Sequence, residues 1–253
     1  GRAQAMIKMT AAEAVETLYY LPLYCAHALG FFKEQGLDVT IFNAQQRTIA
    51  LRAIVAGDAF TYNGDPAEPA LARLSGAKVK NIGVLVSRAG GALLAKKGTP
   101  KDPKRWAGKR IITPRPPHTS VSLMQLIMIN NGYEKADADG LVWKPKGGAD
   151  KDAVRFTPVV AGSELSALAA GQADLSFVLE PNIAIGVAKG FEEVTSFAEQ
   201  FGDFFYTSFA VTEESIDKRG EQVQKFVNAM HKACLFGHRH PDKAAEVAVK
   251  RYD

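Results

Sequence analysis

The segment from Thr113 to Ser122, with PRPPHTS at its centre, gathers residue types suited to holding an anion. Arg115 brings a guanidinium, His118 an imidazole, and Thr119 and Ser120 hydroxyl donors. Just beyond them Leu123, Leu126 and Ile127 recur at helical spacing. Prolines hold the approach extended, and Ser122 with Gln125 has capping-box spacing. The four polar residues therefore precede or enter a helix N-terminus, where backbone N–H groups favour a carboxylate, sulfonate or phosphate. Each of them either holds such a group or belongs to a solvated loop and its cap.

A second set is aromatic: Tyr19, Tyr20, Tyr24 and Tyr62, with Phe205 and Tyr206 later in the chain. Such rings clamp a planar or apolar body while a phenol supplies a hydrogen bond. Tyr20, Tyr62 and Tyr206 read as lining residues, and Phe31, Phe32 and Phe204 as core. Two proline-bearing loops add polar groups, Asn63 and Asp65 in one, Glu180 and Asn182 in the other. Each of these caps the following helix or reaches a ligand, with capping assigned to Asp65 and Asn182. Glu13 and Glu16, ahead of the aromatic stretch, read as solvent-exposed; the alternative is that an acid there accepts from an amino-bearing ligand.

Catalytic signatures are missing from the sequence: no GxSxG, HExxH, Walker loop or GxGxxG occurs. His238-Arg239-His240 before Pro241 reads as a polar turn rather than a metal site. Cys25 and His27, two apart on a helix, point in different directions and make no nucleophile–base pair. Cys25 and Cys234 have neither CxxC nor zinc spacing and leave the redox compartment open. No catalytic residue, metal ligand or cofactor is expected.

The chain of 253 residues is 47% hydrophobic and 23% charged, the balance of a globular protein with a sizeable core. Its net charge of +4 is mild and its lysines and arginines are scattered among acids, which argues against a nucleic-acid partner. No apolar run approaches the roughly 20 residues that span a bilayer, so the mature chain reads as soluble. Ala3-Gln4-Ala5 has the small-x-small form of a signal-peptidase site without the apolar core of a signal peptide. It is either a remnant of export, by a Sec or Tat signal, or a flexible terminus.

The elements that must position these residues begin with Tyr20 to Phe42. Pro22 opens a helix that Leu23, Ala26 and Leu29 continue to Gly30, Phe31 and Phe32 form an apolar plug, and Leu37, Val39 and Ile41 alternate as a strand. Leu51–Ala59 (LRAIVAGDA) and Leu165–Ala173 (LSALAAGQA) echo one another, as do Ala70 with Ala184 and Gly76 with Gly190. Each copy ends a helix at glycine and runs through a short apolar segment into a proline loop, Asn63-Gly64-Asp65-Pro66 or Leu179-Glu180-Pro181-Asn182. Alternating helices and strands predict α/β layers with largely parallel sheets. Ile82–Val86 and Ala92–Ala95 read as strands that end the first half, 97–108 as a Lys-, Pro- and Gly-rich linker, and Arg110–Thr113 as the restart. Residues 1–95 and 204–253 are assigned to one lobe and 96–203 to the other. Ala244–Arg251 reads as a helix.

Pro22, Tyr24, Ala26, Gly30, Phe31, Phe32, Gly36, Leu37, Asp38 and Val39 match a Pro-x-Tyr-x-Ala helix running into Gly-Phe-Phe and then Gly-Leu-Asp-Val. In this the chain resembles periplasmic solute-binding proteins of the nitrate, sulfonate and taurine group, related to binders of thiamine-pyrimidine precursors. The resemblance implies the type II two-lobe periplasmic binding protein fold, each lobe a mixed, mostly parallel sheet flanked by helices, with a ligand cleft between lobes. It makes the strand Phe204–Val211 the return to the first lobe, with hinges near 88–96 and 203–210. It places the segments of Tyr20, Tyr62 and Tyr206 at the cleft mouth and has the loop of Thr119 and Ser120 hold ligand; the candidate ligand-binding set is Tyr20, Tyr24, Tyr62, Asn63, Arg115, His118, Thr119, Ser120, Glu180 and Tyr206.

The function implied is that of an exported, periplasmic binding component of an ABC importer. It acts as a monomer, without a cofactor, and delivers a small organic molecule to a permease with its ATPase. The ligand itself stays open across nitrate, sulfonates, bicarbonate, pyrimidines and aromatic acids. The alternative is an enzyme on the same scaffold, of the pyrimidine-precursor or menaquinone-pathway type. The Cys-rich segment of the eukaryotic pyrimidine-precursor synthases has no counterpart here. Family members continue through further C-terminal helices, so the sequence in hand is either a truncated form or lacks a disordered tail.

Overall fold

The computed structural model describes residues 5–88, 90–116 and 118–252. Most of the Ala3-Gln4-Ala5 motif and Pro117 of the proline-rich loop lie outside them. Along the chain the strands are β1 (Ile7–Glu13), β2 (Leu37–Asn43), β3 (Thr61–Gly64), β4 (Val79–Val86), β5 (Ala92–Ala95), β6 (Arg110–Pro114), β7 (Tyr133–Lys135), β8 (Val142–Pro145), β9 (Val154–Val159), β10 (Leu175–Val178), β11 (Glu192–Ser196) and β12 (Thr207–Thr212). The helices are α1 (Leu21–Ala28), α2 (Phe31–Glu34), α3 (Arg47–Ala56), α4 (Ala67–Leu74), α5 (Thr119–Asn130), α6 (Glu164–Ala169), α7 (Asn182–Ala188), α8 (Phe197–Phe201), α9 (Glu213–Arg239) and α10 (Pro241–Tyr252). They form two units, residues 1–87 with 205–253, and residues 88–204.

The first unit holds a five-stranded sheet in the order β2-β1-β3-β12-β4. β2, β1 and β3 run parallel, and β12 lies antiparallel to both β3 and β4. Alternation along β1 explains why both faces are covered. Ile7, Met9 and Ala11 face a core shared with Leu23, Phe32, Phe226 and Met230, whereas Ala12 and Ala14 face Ala50, Ile54 and Tyr62. Phe226, Ala229, Met230 and Ala233 fall on one face of α9, and Phe226 stacks on Phe32 with ring centroids 5.0 Å apart. Gly83 of β4 is set against the Phe209 ring: a Cβ there would lie 2.2 Å from Phe209 Cζ. Gly83→Ala is therefore expected to cost about 1–3 kcal/mol by overpacking, read as a lowered urea midpoint with unchanged m-value.

The second unit holds a seven-stranded sheet in the order β11-β5-β10-β6-β9-β8-β7. Parallel pairing is confined to β10, β6 and β9 at its centre, with antiparallel strands on both flanks. Residues 88–95, assigned from sequence to the first lobe, belong here. All four residues of β5 are buried, and the strand pairs with β10 and β11. The expected linker at 97–108 is not one. Trp106 within it is fully buried, and its indole N–H donates to the Pro100 carbonyl at 2.7 Å. The aromatic return strand starts later than expected, at Thr207, with Phe205 60% exposed and Phe204 half-buried ahead of it.

The echoed segments become equivalent substructures. α3 ends at Gly57 and α6 is followed by Gly171, both in the left-handed region (φ 84° and 74°) that favours glycine. β3 and β10 follow them, and a proline loop then leads into α4 or α7. In this way the same local grammar brings one polar loop to the carboxyl edge of each sheet.

Candidate functional site

In each unit the direction of chain progression reverses beside the first parallel strand, β1 in the first and β6 in the second. The carboxyl edges next to such a switch point are where open α/β sheets bind ligands. In the first unit the pairing of β1 with β3 ends at Glu13 opposite Asn63, so both side chains leave the same face. Glu13 is fully buried, against the expectation of solvent exposure. One carboxylate oxygen accepts from the Tyr24 hydroxyl at 2.7 Å and the other from Arg251 Nη2 at 2.9 Å. Burial pushes the Glu13 carboxyl up, and the Tyr24 hydrogen bond and the Arg251 charge pull it back. Arg251 also pairs with Glu16 at 2.6 Å and lies over the Tyr24 ring, 4.8 Å from its centroid. Glu16 is exposed, as expected, yet ion-paired.

Tyr24 is thus committed within the first unit, donating to Glu13 and accepting from the Thr17 N–H at 3.3 Å. Tyr62 is fully buried among alanines, and its hydroxyl donates to the Asp65 carbonyl at 3.1 Å. Tyr20 ends the short turn that leads into α1 and is 3% exposed; burial raises its phenol. Tyr206 meets Tyr19 edge to face at 5.3 Å, and its N–H donates to the Val86 carbonyl at 3.0 Å. Asn63 donates from Nδ2 to the Ala12 carbonyl at 3.1 Å and to Thr61 Oγ1 at 3.2 Å, while its Oδ1 is buried without a partner among the described residues. Thr207, at the start of the neighbouring β12, likewise has a buried hydroxyl without a partner among those residues. Asp65 accepts from the Ala67 N–H at 2.9 Å and so caps α4, as read from the sequence.

In the second unit β6 ends at Pro114 and α5 begins at Thr119. The N-cap is His118, whose Nδ1 accepts from the Ser120 N–H at 3.2 Å. The expected Ser122–Gln125 box does not form. Ser122 lies one turn inside the helix, and the Gln125 amide donates to the Gly140 carbonyl at 3.0 Å. The prolines end at 117, so the chain turns helical directly after them, with His118 as the first residue able to cap. Thr119 is half-buried and Arg115 exposed. Thr113 and Ser120 are both fully buried, and neither hydroxyl has a partner among the described residues. Glu180 is exposed and accepts from the Ala184 N–H at 3.2 Å, capping α7 in the role assigned to Asn182.

Sequence reasoning thus brought Asn63 and Ser120 to the two edges and missed Thr113, Thr207 and the Glu13–Arg251 pair. The two threonines were within reach, because Thr113 opens the proline-rich segment and Thr207 follows Tyr206. Among the described residues no group of three or more His, Cys, Asp or Glu could hold a metal ion, and no helix is long and apolar enough to cross a membrane. Burial pushes the Cys25 thiol up to about 11 and raises Cys234 as well, away from the thiolate form that a nucleophile needs.

The sequence profile of the NMT1/THI5-like family matches residues 17–244. YtlA of Bacillus subtilis (strain 168), a presumed binding protein, is 24% identical over 251 residues, covering 98% of this chain and 71% of YtlA. Among solved structures, the periplasmic aliphatic sulphonate binding protein SsuA from Escherichia coli superposes with a TM-score of 0.72 at 12% identity, covering 98% of this chain and 79% of SsuA. The periplasmic nitrate-binding protein NrtA from Synechocystis PCC 6803 gives 0.71 at 13% identity, covering 98% of this chain and 66% of NrtA. These likenesses establish the two-lobe periplasmic binding protein fold.

Proposed function

Because the chain belongs to the NMT1/THI5-like family, whose profile spans residues 17–244, we propose that it is the solute-binding component of an ABC importer. It is exported to the periplasm, acts as a monomer, and delivers a small organic solute to a permease served by an ATPase. The observation that carries this reading is the set of buried polar atoms without a partner among the described residues at the carboxyl edge of each sheet: Asn63 Oδ1 and Thr207 Oγ1 in the first unit, Thr113 Oγ1 and Ser120 Oγ in the second. Buried polar groups are normally satisfied, and a solute that supplies the missing partners gains binding energy without disturbing the fold. The names of SsuA and NrtA, which mark them as binders of small anions, support the same reading.

Ser120 in the first turn of α5, with Thr113 near the end of the preceding β6, suits an anionic group. The helix N-terminus supplies partial positive charge, and the two hydroxyls supply donors. The protonated thiols of Cys25 and Cys234 offer no activated nucleophile, which weighs against the enzyme alternative on this scaffold.

A thermal-shift screen of organic carboxylates, sulfonates and nitrogen heterocycles tests the reading, since a solute at about 100 times its Kd adds roughly 2.7 kcal/mol. At least one class is expected to raise the melting temperature. The double variant Thr113→Val, Ser120→Ala is expected to weaken that solute about 10- to 100-fold, the loss of hydrogen bonds to a charged group. No shift with any solute would overturn the binding reading, and unchanged affinity in the double variant would move the anion elsewhere.

A further inference from the structure

We infer that the solute presents a hydrogen-bond donor, an N–H or O–H group, to Asn63 Oδ1, so that the protein selects donor-bearing organic solutes over anions that can only accept. This rests on the reading of the chain as a solute binder and names the class of solute. Both amide hydrogens of Asn63 are consumed inside the first unit, by the Ala12 carbonyl at 3.1 Å and Thr61 Oγ1 at 3.2 Å. The amide cannot be turned over, because Oδ1 would then face the Ala12 carbonyl oxygen, acceptor against acceptor. What remains is an oxygen with lone pairs only, fully buried and without a partner among the described residues.

Glu13, in register beside Asn63, brings no donor, because both its oxygens already accept, from Tyr24 and Arg251. On the other side β12 runs antiparallel with Phe209 opposite Asn63, so Thr207, two residues earlier, leaves the same face at the edge. Its unpartnered hydroxyl can donate or accept and sets no polarity of its own. Asn63 does set one. Nitrate and the alkanesulfonates carry no donor and would leave Oδ1 unpaired in the complex. An aromatic or heterocyclic amine, amide or alcohol would satisfy it. A site built around a fixed hydrogen bond rejects an analogue lacking that group far more strongly than one differing by a methylene.

The test is calorimetry and thermal shift on the whole chain with isosteric pairs: 4-aminobenzoate against 4-methylbenzoate, and 2-aminopyrimidine against 2-methylpyrimidine, with nitrate and methanesulfonate as donor-free anions. The amino member is expected to bind about tenfold or more tightly than its methyl isostere, with nitrate and methanesulfonate weaker still. In Asn63→Ala, checked for folding by circular dichroism, that preference is expected to vanish. Equal binding of the isosteres, or tight binding confined to nitrate or methanesulfonate, overturns the inference while the binder reading stands. So does a preference that survives in Asn63→Ala. If that variant does not fold, the isosteric pairs on the parent chain decide alone. If no compound binds, the binder reading and this inference fall together.

Discussion

Arg251→Ala is expected to lower stability by about 2–4 kcal/mol, and the loss should depend on pH. Removing one partner of a buried ion pair leaves the other charge uncompensated, at a cost of about 3–5 kcal/mol when both are fully buried. Glu13 is fully buried but Arg251 is 32% exposed, which shifts the expectation about 1 kcal/mol below that range. The Glu13 carboxyl already sits above its ordinary value because of burial, and Arg251 is among the groups pulling it down. Without Arg251 it rises further. Between the ordinary carboxylate value of 4.5 and the raised one, the folded chain then holds more protons than the unfolded chain, so stability falls as pH rises through that interval. The deficit of the variant should be large near neutral pH and shrink toward about pH 4. Urea unfolding across that range measures it, and adding Glu13→Gln should restore much of the loss at neutral pH. A deficit constant with pH would mean that Glu13 is not the group left unpaired.

Trp106→Ala is expected to cost about 3–5 kcal/mol, the range for deleting a large buried aromatic side chain. The ring is fully buried in the second unit, its N–H is bonded to Pro100, and its carbonyl accepts from the Lys109 N–H at 2.9 Å. It pins the run from Lys96 to Lys109 onto that unit. Trp143, the other of the two tryptophans, is buried in the same unit and remains as a fluorescence reporter of unfolding. A loss within about 0.5 kcal/mol would be the behaviour of an exposed linker and would contradict the packing.

Local signals in the chain carry the elements and their grammar. Pro22, the alternation of Leu37, Val39 and Ile41, and the paired Ala-Gly stops before β3 and β10 are local signals, because helix and strand periodicity and left-handed glycines act within a few residues. Those signals were enough for two α/β units, for the resemblance to solute-binding proteins, and for Asn63 and Ser120 at strand and helix ends. Composition misled at 97–108, where lysines, prolines and glycines read as a linker although one tryptophan fixes the segment in a core.

Tertiary structure alone decided which groups are satisfied. Glu13 and Arg251 stand 238 positions apart, and nothing near either residue announces the other. Their pairing follows from α10 returning to α1, beside the end of β1. Likewise the donor and acceptor balance of Asn63 depends on the Ala12 carbonyl, 51 positions away, which is a neighbour only because β3 pairs with β1. Tyr24 and Tyr62 carry the same lesson, since both hydroxyls are taken up inside the first unit. Residue type states what a side chain can bond, and only the packed neighbours determine which of those bonds is left for a solute.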